Sequence, residues 1–234
     1  MKLKSLFAGC AAMLLAGALS AQKPEYLPTS KELVKVAGTQ APQPVSVAPA
    51  LDPENTLNLD LSTGGRVVIQ LRPDLAPKHV ERIKALARKG FYNGIIFHRV
   101  IDGFMAQTGD PTGTGSGGSD LPDMAAEFNP LPHLRGVVSA ARASDVNSAN
   151  SQFFIMFAPR FSLDGEYTPF GRVVSGMQYV DTIERGEPPA NPARILQASI
   201  GSDNVPPPAP GQATASVAPA KAPPAADRAV TKQQ

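Results

Sequence analysis

The stretch FHRVIDGFMAQTGD, residues 97–110, sets an arginine inside an apolar run. Phe97, Val100, Ile101, Phe104 and Met105 surround Arg99, and Gln107 follows. A guanidinium stays charged in a protein, and burying it is costly unless it is paired or has work to do. The chemistry available to such a residue is that of a fixed, directional cation, donating hydrogen bonds beside an apolar wall. A second run, SQFFIMFAPRF at 151–161, places a glutamine among aromatic and aliphatic residues. In a strand, Gln152, Phe154 and Met156 share one face, and Phe153, Ile155 and Phe157 the other. One face can then be core and the other a site, and the embedded glutamine favours that division.

Other chemistries are poorly served by this chain. GTGSGG at 113–118 formally matches a dinucleotide fingerprint, but SDLPDM follows it and no helical pattern begins, so it reads as a mobile glycine-rich surface loop. The three histidines, His79, His98 and His133, are not spaced as metal ligands. His98 reads as a satisfied core histidine or a neighbour of the site rather than a base, and His79 and His133 read as surface residues. No serine sits in a G-x-S-x-G elbow. Cys10 is the only cysteine. Loss of the leader removes it and leaves no thiol catalysis, no cysteine metal site and no disulfide, which suits an oxidising compartment. The formal charge of +2 loses Lys2 and Lys4 with the leader, so the remaining chain is close to neutral. It has no basic run that would mark a nucleic-acid partner.

These runs need a scaffold, and the rest of the chain supplies one. MKLKSLFAGCAAMLLAGALSA, residues 1–21, has Lys2 and Lys4 before a short apolar core, Leu6 to Leu19, and small residues at its end. That is the pattern of a cleaved export signal, too short for a stable span. An uncleaved anchor is the alternative reading, and FAGC faintly resembles a lipoprotein cleavage box. Residues 22–54 are a proline-rich linker, and residues 201–234 form a Pro/Ala-rich tail that cannot bury enough apolar surface to offset chain entropy. Between them lies one domain over residues 55–200. TLNLDLSTGGRVVIQL reads as a half-buried hairpin, with Leu57, Leu59 and Leu61, then Val67, Ile69 and Leu71, alternating about a Ser-Thr-Gly-Gly turn. DLAPKHVERIKALARKG reads as a helix that starts near Pro77, buries Val80, Ile83, Leu86 and Ala87, and stops at Gly90. Strand-like runs then recur as GIIFHRVI, GVVSAA, SQFFIMF, TPFGRVV and ILQASI, with a second short helix in MQYVDTIERG. Many short strands with two helices indicate a closed or nearly closed antiparallel barrel.

Four blocks in order, GFYNGIIFHRVIDGFMAQTGDPTGTGSGGS, GVVSAARA, NSANSQFFIMF and LDGEYTPFGRVVSGM, resemble the cyclophilins, a family of peptidyl-prolyl cis-trans isomerases. The likeness covers nearly all of Thr56 to Ile200, and its details are closer to bacterial exported members than to cytosolic eukaryotic ones. It implies a mainly β fold, a closed eight-stranded antiparallel barrel capped by two α-helices. It implies that Arg99 is the catalytic arginine and that Phe104, Met105, Phe154 and Leu163 wall a proline pocket. Gln107, Ala141, Arg142, Ala143 and Gln152 then hold the substrate backbone, and Tyr167 stands where some members have histidine. The implied substrates are proline-containing unfolded or newly exported polypeptides, with no cofactor or metal. The expected setting is the periplasm or the secreted space, as a monomer that leaves the membrane once its signal is cut.

Departures from the family pattern matter to the site. Ser162 stands where an aromatic often precedes Leu163, with Phe161 one place earlier, so either Phe161 covers the pocket rim or the rim is open. That places cyclosporin binding in question. Arg142 replaces a common asparagine in the groove. A groove that captures proline segments without turnover is the rival reading, and an assembly role for the Pro/Ala-rich tails is a second.

Overall fold

The structure, a computed structural model, describes residues 51–209. The leader (1–21), most of the linker and the tail from residue 210 onward lie outside the described residues. The elements in chain order are β1 (Thr56–Leu61), β2 (Gly65–Leu71), α1 (Pro77–Arg88), β3 (Arg99–Ile101), β4 (Met105–Thr108), β5 (Val137–Ala140), β6 (Phe153–Met156), β7 (Pro169–Ser175), α2 (Met177–Asp181) and β8 (Ile195–Ile200). All eight strands join one antiparallel sheet in the order β3-β4-β6-β5-β7-β2-β1-β8.

The sheet curls into an open half-barrel, which corrects the expected closed barrel. β3 and β8 remain its two edges. The two edges approach each other only through isolated bridges, Ile96 to Arg194 and Val100 to Gly186, and a few backbone bonds, among them Phe97 N–H to Ala193 O at 2.9 Å. Pro188, Pro189 and Pro192 lie just upstream of Ala193 and have no N–H to donate, so a ladder cannot run on along β3.

Period-two alternation divides the side chains of β3, β4, β5 and β6 between two apolar clusters. Val100, Ala106, Val138 and Ile155 point into the main core with Leu57, Leu59, Ile69, Phe153 and Phe170. Met105, Val137, Phe154 and Met156 point the other way into a second cluster, joined by Ile101, Phe104, Leu131, Leu134, Leu163 and Tyr167. The hairpin of β1 and β2 forms as read, but β1 is buried along its whole length, because it lies between β2 and β8. Its Asp60 is kept paired there by the fork of its cross-strand partner Arg66, at 2.9 Å on both oxygens.

α1 buries Val80, Ile83, Leu86 and Ala87 as its spacing requires, and His79 with them. Its N-cap, Ala76, offers no side-chain acceptor. The Glu127 carboxylate, distant in sequence, accepts instead from the Lys78 and His79 N–H groups (3.1 and 3.0 Å) and from His79 Nδ1 (2.6 Å). A helix N-terminus leaves N–H groups without partners, and a carboxylate suits both them and the dipole.

Candidate active site

Arg99 is the first residue of β3, and antiparallel register sets its neighbours. It lies opposite Gln107 on β4, and Gln107 lies opposite Phe154 on β6. Cross-strand partners put their side chains on the same face. Arg99, Gln107 and Phe154 therefore form a row across three strands, on the side of the second apolar cluster. The sequence suggested an arginine sunk among apolar residues, and here the structure differs. Phe97, Val100 and Met105 are the buried members of that run, while the Arg99 side chain is 42% exposed. Alternation sends Val100 inward and Arg99 outward.

The apolar cluster beside this row draws on two connections and a pair of strands. Phe104 ends the tight turn between β3 and β4, with its N–H bonded to Ile101 O at 3.1 Å. Met105 and Phe154 stand on adjacent strands. Leu163 and Tyr167 come from the β6–β7 connection, where a 3-10 turn (Phe161–Leu163) presents Leu163. The Tyr167 ring meets Phe154 edge-on at 5.7 Å, and the Arg142 guanidinium covers the Tyr167 ring at 4.6 Å. Arg160 lies 4.9 Å over the Phe104 ring. Phe161 is 63% exposed and is not among the residues packed against this cluster, so the rim stays open where the family pattern has an aromatic.

Polar groups line the other border. Gln107 Nε2 donates to Gln152 Oε1 at 2.8 Å, and Gln152 Nε2 donates to the carbonyls of Gly115 (3.0 Å) and Gly117 (2.8 Å). The glycine-rich loop read as mobile is thus tethered. Its Thr112, Gly115 and Gly117 N–H groups also converge on the Asp110 carboxylate, which is buried at its base. Burial alone would raise the Asp110 pKa, but these bonds, with the Thr112 hydroxyl, outweigh it and hold the carboxyl below its ordinary range. Ala141 is buried and ties its N–H to Gln152 O at 2.9 Å. Arg142 spends its donors within the protein, on the carbonyls of Glu166 (3.1 Å) and Ala143 (3.0 Å). Ala143 is exposed, with its N–H on Ser148 Oγ at 2.9 Å.

The histidines correct the sequence reading twice. His79 and His133 were expected at the surface, and both are buried. His133 packs behind the site, its ring stacked 6.3 Å from that of Phe154. Its Nδ1 lies 2.7 Å from Asp164 Oδ1 and its Nε2 3.1 Å from Ser139 Oγ. His98 is buried beneath Gly115 without a hydrogen-bond partner on either ring nitrogen. Burial pushes its pKa down, with Arg99 adding to the effect and Asp110 opposing it. A neutral ring sheltered under a loop is poorly placed to act as a base.

One residue escaped the sequence reading. Arg99 Nε donates to Glu187 Oε2 at 2.6 Å. Glu187 lies in the connection between α2 and β8, far away in the chain, and no periodicity or motif links the two.

A family model described as "Cyclophilin type peptidyl-prolyl cis-trans isomerase/CLD" matches residues 57–200, more than half of the chain. The chain belongs to the cyclophilin family. It is 51% identical over 175 residues to a "Probable peptidyl-prolyl cis-trans isomerase" of Brucella suis, an alignment spanning 68% of this chain and 89% of that protein. It is 40% identical over 153 residues to the peptidyl-prolyl cis-trans isomerase ppi1 of Schizosaccharomyces pombe, spanning 60% of this chain and 97% of that one. Among solved structures, the cyclophilin AquaCyp293 of Hirschia baltica superposes with a TM-score of 0.61 at 32% identity, covering 67% of this chain and 77% of that one. A cyclophilin type isomerase of Cryptosporidium parvum, crystallised in the presence of the dipeptide Ala-Pro, gives 0.58 at 32% identity, covering 62% and 98%.

Proposed function

We propose that this cyclophilin accelerates cis-trans rotation about X-Pro bonds in unfolded or newly exported polypeptides. The carrying observation is the row Arg99–Gln107–Phe154, which sets a guanidinium on the face of the second apolar cluster, bordered by the paired amides of Gln107 and Gln152.

The peptide C–N bond resists rotation by about 18–20 kcal/mol because the nitrogen lone pair is delocalised. At X-Pro both isomers are populated, and exchange takes about tens to hundreds of seconds. No bond is cleaved, so the catalyst has only to bind the twisted amide better than either planar form. In the twisted state the prolyl nitrogen is pyramidal and its lone pair is localised. Arg99 would donate to that nitrogen, an interaction gained only on twisting. Phe104, Met105, Phe154 and Leu163 would hold the pyrrolidine ring, while Gln107, Gln152 and the 141–143 segment fix the flanking backbone. Arginine suits the task better than lysine, because its charge is permanent and its donors are held in a planar fork.

The export reading rests on Lys2 and Lys4 ahead of Leu6–Leu19, and on the lack of cysteine after residue 10. We place the protein in the periplasm or secreted space, acting as a monomer without cofactor. Among the described residues, no helix is long and apolar enough to cross a membrane.

The test is exchange NMR on an Ala-Pro peptide, with the protein at catalytic concentration. Wild type should accelerate exchange, and Arg99→Ala should lose about 100-fold in kcat/KM, the scale of losing one preorganised transition-state donor. Peptide binding by both proteins without accelerated exchange would leave a capture module and end the isomerase reading.

A further inference from the structure

We infer that Glu187 is a positioning residue for Arg99, holding the guanidinium with its tip toward the proline pocket. This deepens the isomerase reading and rests on it.

Backbone pairing makes the contact specific. Gly186 and Val100 form an isolated antiparallel bridge and exchange both N–H···O bonds, each at 2.8 Å. In antiparallel register, the residue after Gly186 faces the residue before Val100. Glu187 is therefore the cross-strand partner of Arg99 on its outer side, as Gln107 is on its inner side. The row across the site thus reads Glu187–Arg99–Gln107–Phe154, with the pocket at its far end.

The segment that carries Glu187 is pinned. A Cβ on Gly186 would lie 2.6 Å from Pro189 Cα, so only glycine fits where the chain folds back. The neighbouring Arg185 stacks its guanidinium 4.2 Å over the Phe157 ring and donates to the Asp181 carbonyl at the end of α2.

The geometry decides what the pair is for. Both side chains are largely in water, 42% exposed for Arg99 and 52% for Glu187. An ion pair that open adds little to stability. Its effect falls on Arg99 itself. The carboxylate takes Nε–H, the donor nearest the stem, and leaves the four donors on the two terminal nitrogens for the amide. A long side chain with many rotamers is thereby restricted before substrate arrives, so less freedom is lost on the way to the transition state.

The experiment compares wild type, Glu187→Ala and Glu187→Gln by exchange NMR on an Ala-Pro peptide, with thermal melts as a fold control. Glu187→Ala should lose about three- to tenfold in kcat/KM, carried mainly by kcat, with an unchanged melting temperature. Glu187→Gln keeps an acceptor in place and should recover most of the loss. The Arg99 Nε–H resonance, slowed in solvent exchange in wild type, should stay slowed in Glu187→Gln and lose its protection in Glu187→Ala. Wild-type-like or faster turnover in Glu187→Ala overturns the proposal, the faster case meaning that the carboxylate competes with the substrate. An Nε–H signal indifferent to Glu187→Ala overturns it as well. That signal is read without substrate, so an inactive wild type would end the isomerase reading while still testing the pairing.

Discussion

Arg99 and Gln107 face each other across β3 and β4, yet each side chain bonds to a third residue: Arg99 to Glu187, and Gln107 to Gln152. The site therefore has two polar systems that meet at the row without merging. One orients the cation, and the other ties the groove to the glycine-rich loop.

That separation predicts unequal effects of the two glutamines. Gln152→Ala removes bonds to Gln107, Gly115 and Gly117 together, whereas Gln107→Ala removes only one of them. At about 1 kcal/mol per bond, the three bonds lost in Gln152→Ala allow KM for an Ala-Pro peptide to rise by up to about 100-fold, and the one lost in Gln107→Ala by up to about fivefold. Peptide titration followed by exchange NMR measures both, and equal effects would mean that the loop plays no part in binding.

His133 should matter to stability and to the pocket at once. It is fully buried, bonds Asp164 and Ser139, and backs the Phe154 ring. His133→Ala leaves a cavity and at least one buried polar atom, Ser139 Oγ, short of its partner. We expect a loss of about 2–4 kcal/mol in urea unfolding. KM should rise as Phe154 loses its support. A variant with wild-type stability would show that the site collapses without cost.

The open rim makes a prediction about ligands. Phe161 is 63% exposed and Ser162 contributes no ring, so cyclosporin should bind weakly. Ser162→Trp supplies an aromatic at the family's position and should tighten binding by at least about tenfold, the scale of a buried aromatic contact at an interface. Isothermal titration of both proteins decides it. Tight binding by wild type would mean that Phe161 swings in.

Acid should destabilise the domain in two stages, and the signs agree. Burial lowers the pKa of His79, against the Glu127 contact that raises it, and burial likewise lowers that of His98. Unfolded histidine takes up a proton near its ordinary value of 6.5, so this stabilisation is complete above that pH and is lost as the pH falls through the lowered folded values. Asp164 is held below its ordinary range chiefly by the His133 side chain. Asp110 is held low by the loop N–H groups despite its burial, and Glu127 by His79 despite its own. Their contributions are present above the ordinary carboxylate values of 3.8 and 4.5 and vanish as the pH falls through the folded ones. Melting temperature should be flat between about pH 7 and 9, decline below about 6.5 and fall more steeply below about 4. His79→Gln should shorten the upper limb.

The leucine alternation of β1 and β2, the apolar face of α1 and the double-sided pattern of β6 were legible because periodicity is a local property, written residue by residue. The Arg99, Phe104, Met105 and Gln107 cluster was legible for the same reason, since β3, its turn and β4 form one contiguous hairpin. The family blocks were legible because they are long and occur in order.

Contacts between segments far apart in the chain were decided by the tertiary structure. Glu187 reaches Arg99 because one bridge fixes the register of a loop against an edge strand, and nothing local encodes that alignment. His79 and His133 look like surface residues in sequence, but each is buried against a carboxylate, Glu127 or Asp164, that only the fold brings to it. The sheet stays open because β3 ends after three residues and prolines precede β8, so the strand count alone could not give closure. The sequence determined which residues could serve a proline site. The pairing of distant segments determined which of them share a face, which are buried, and which side chain steadies the arginine.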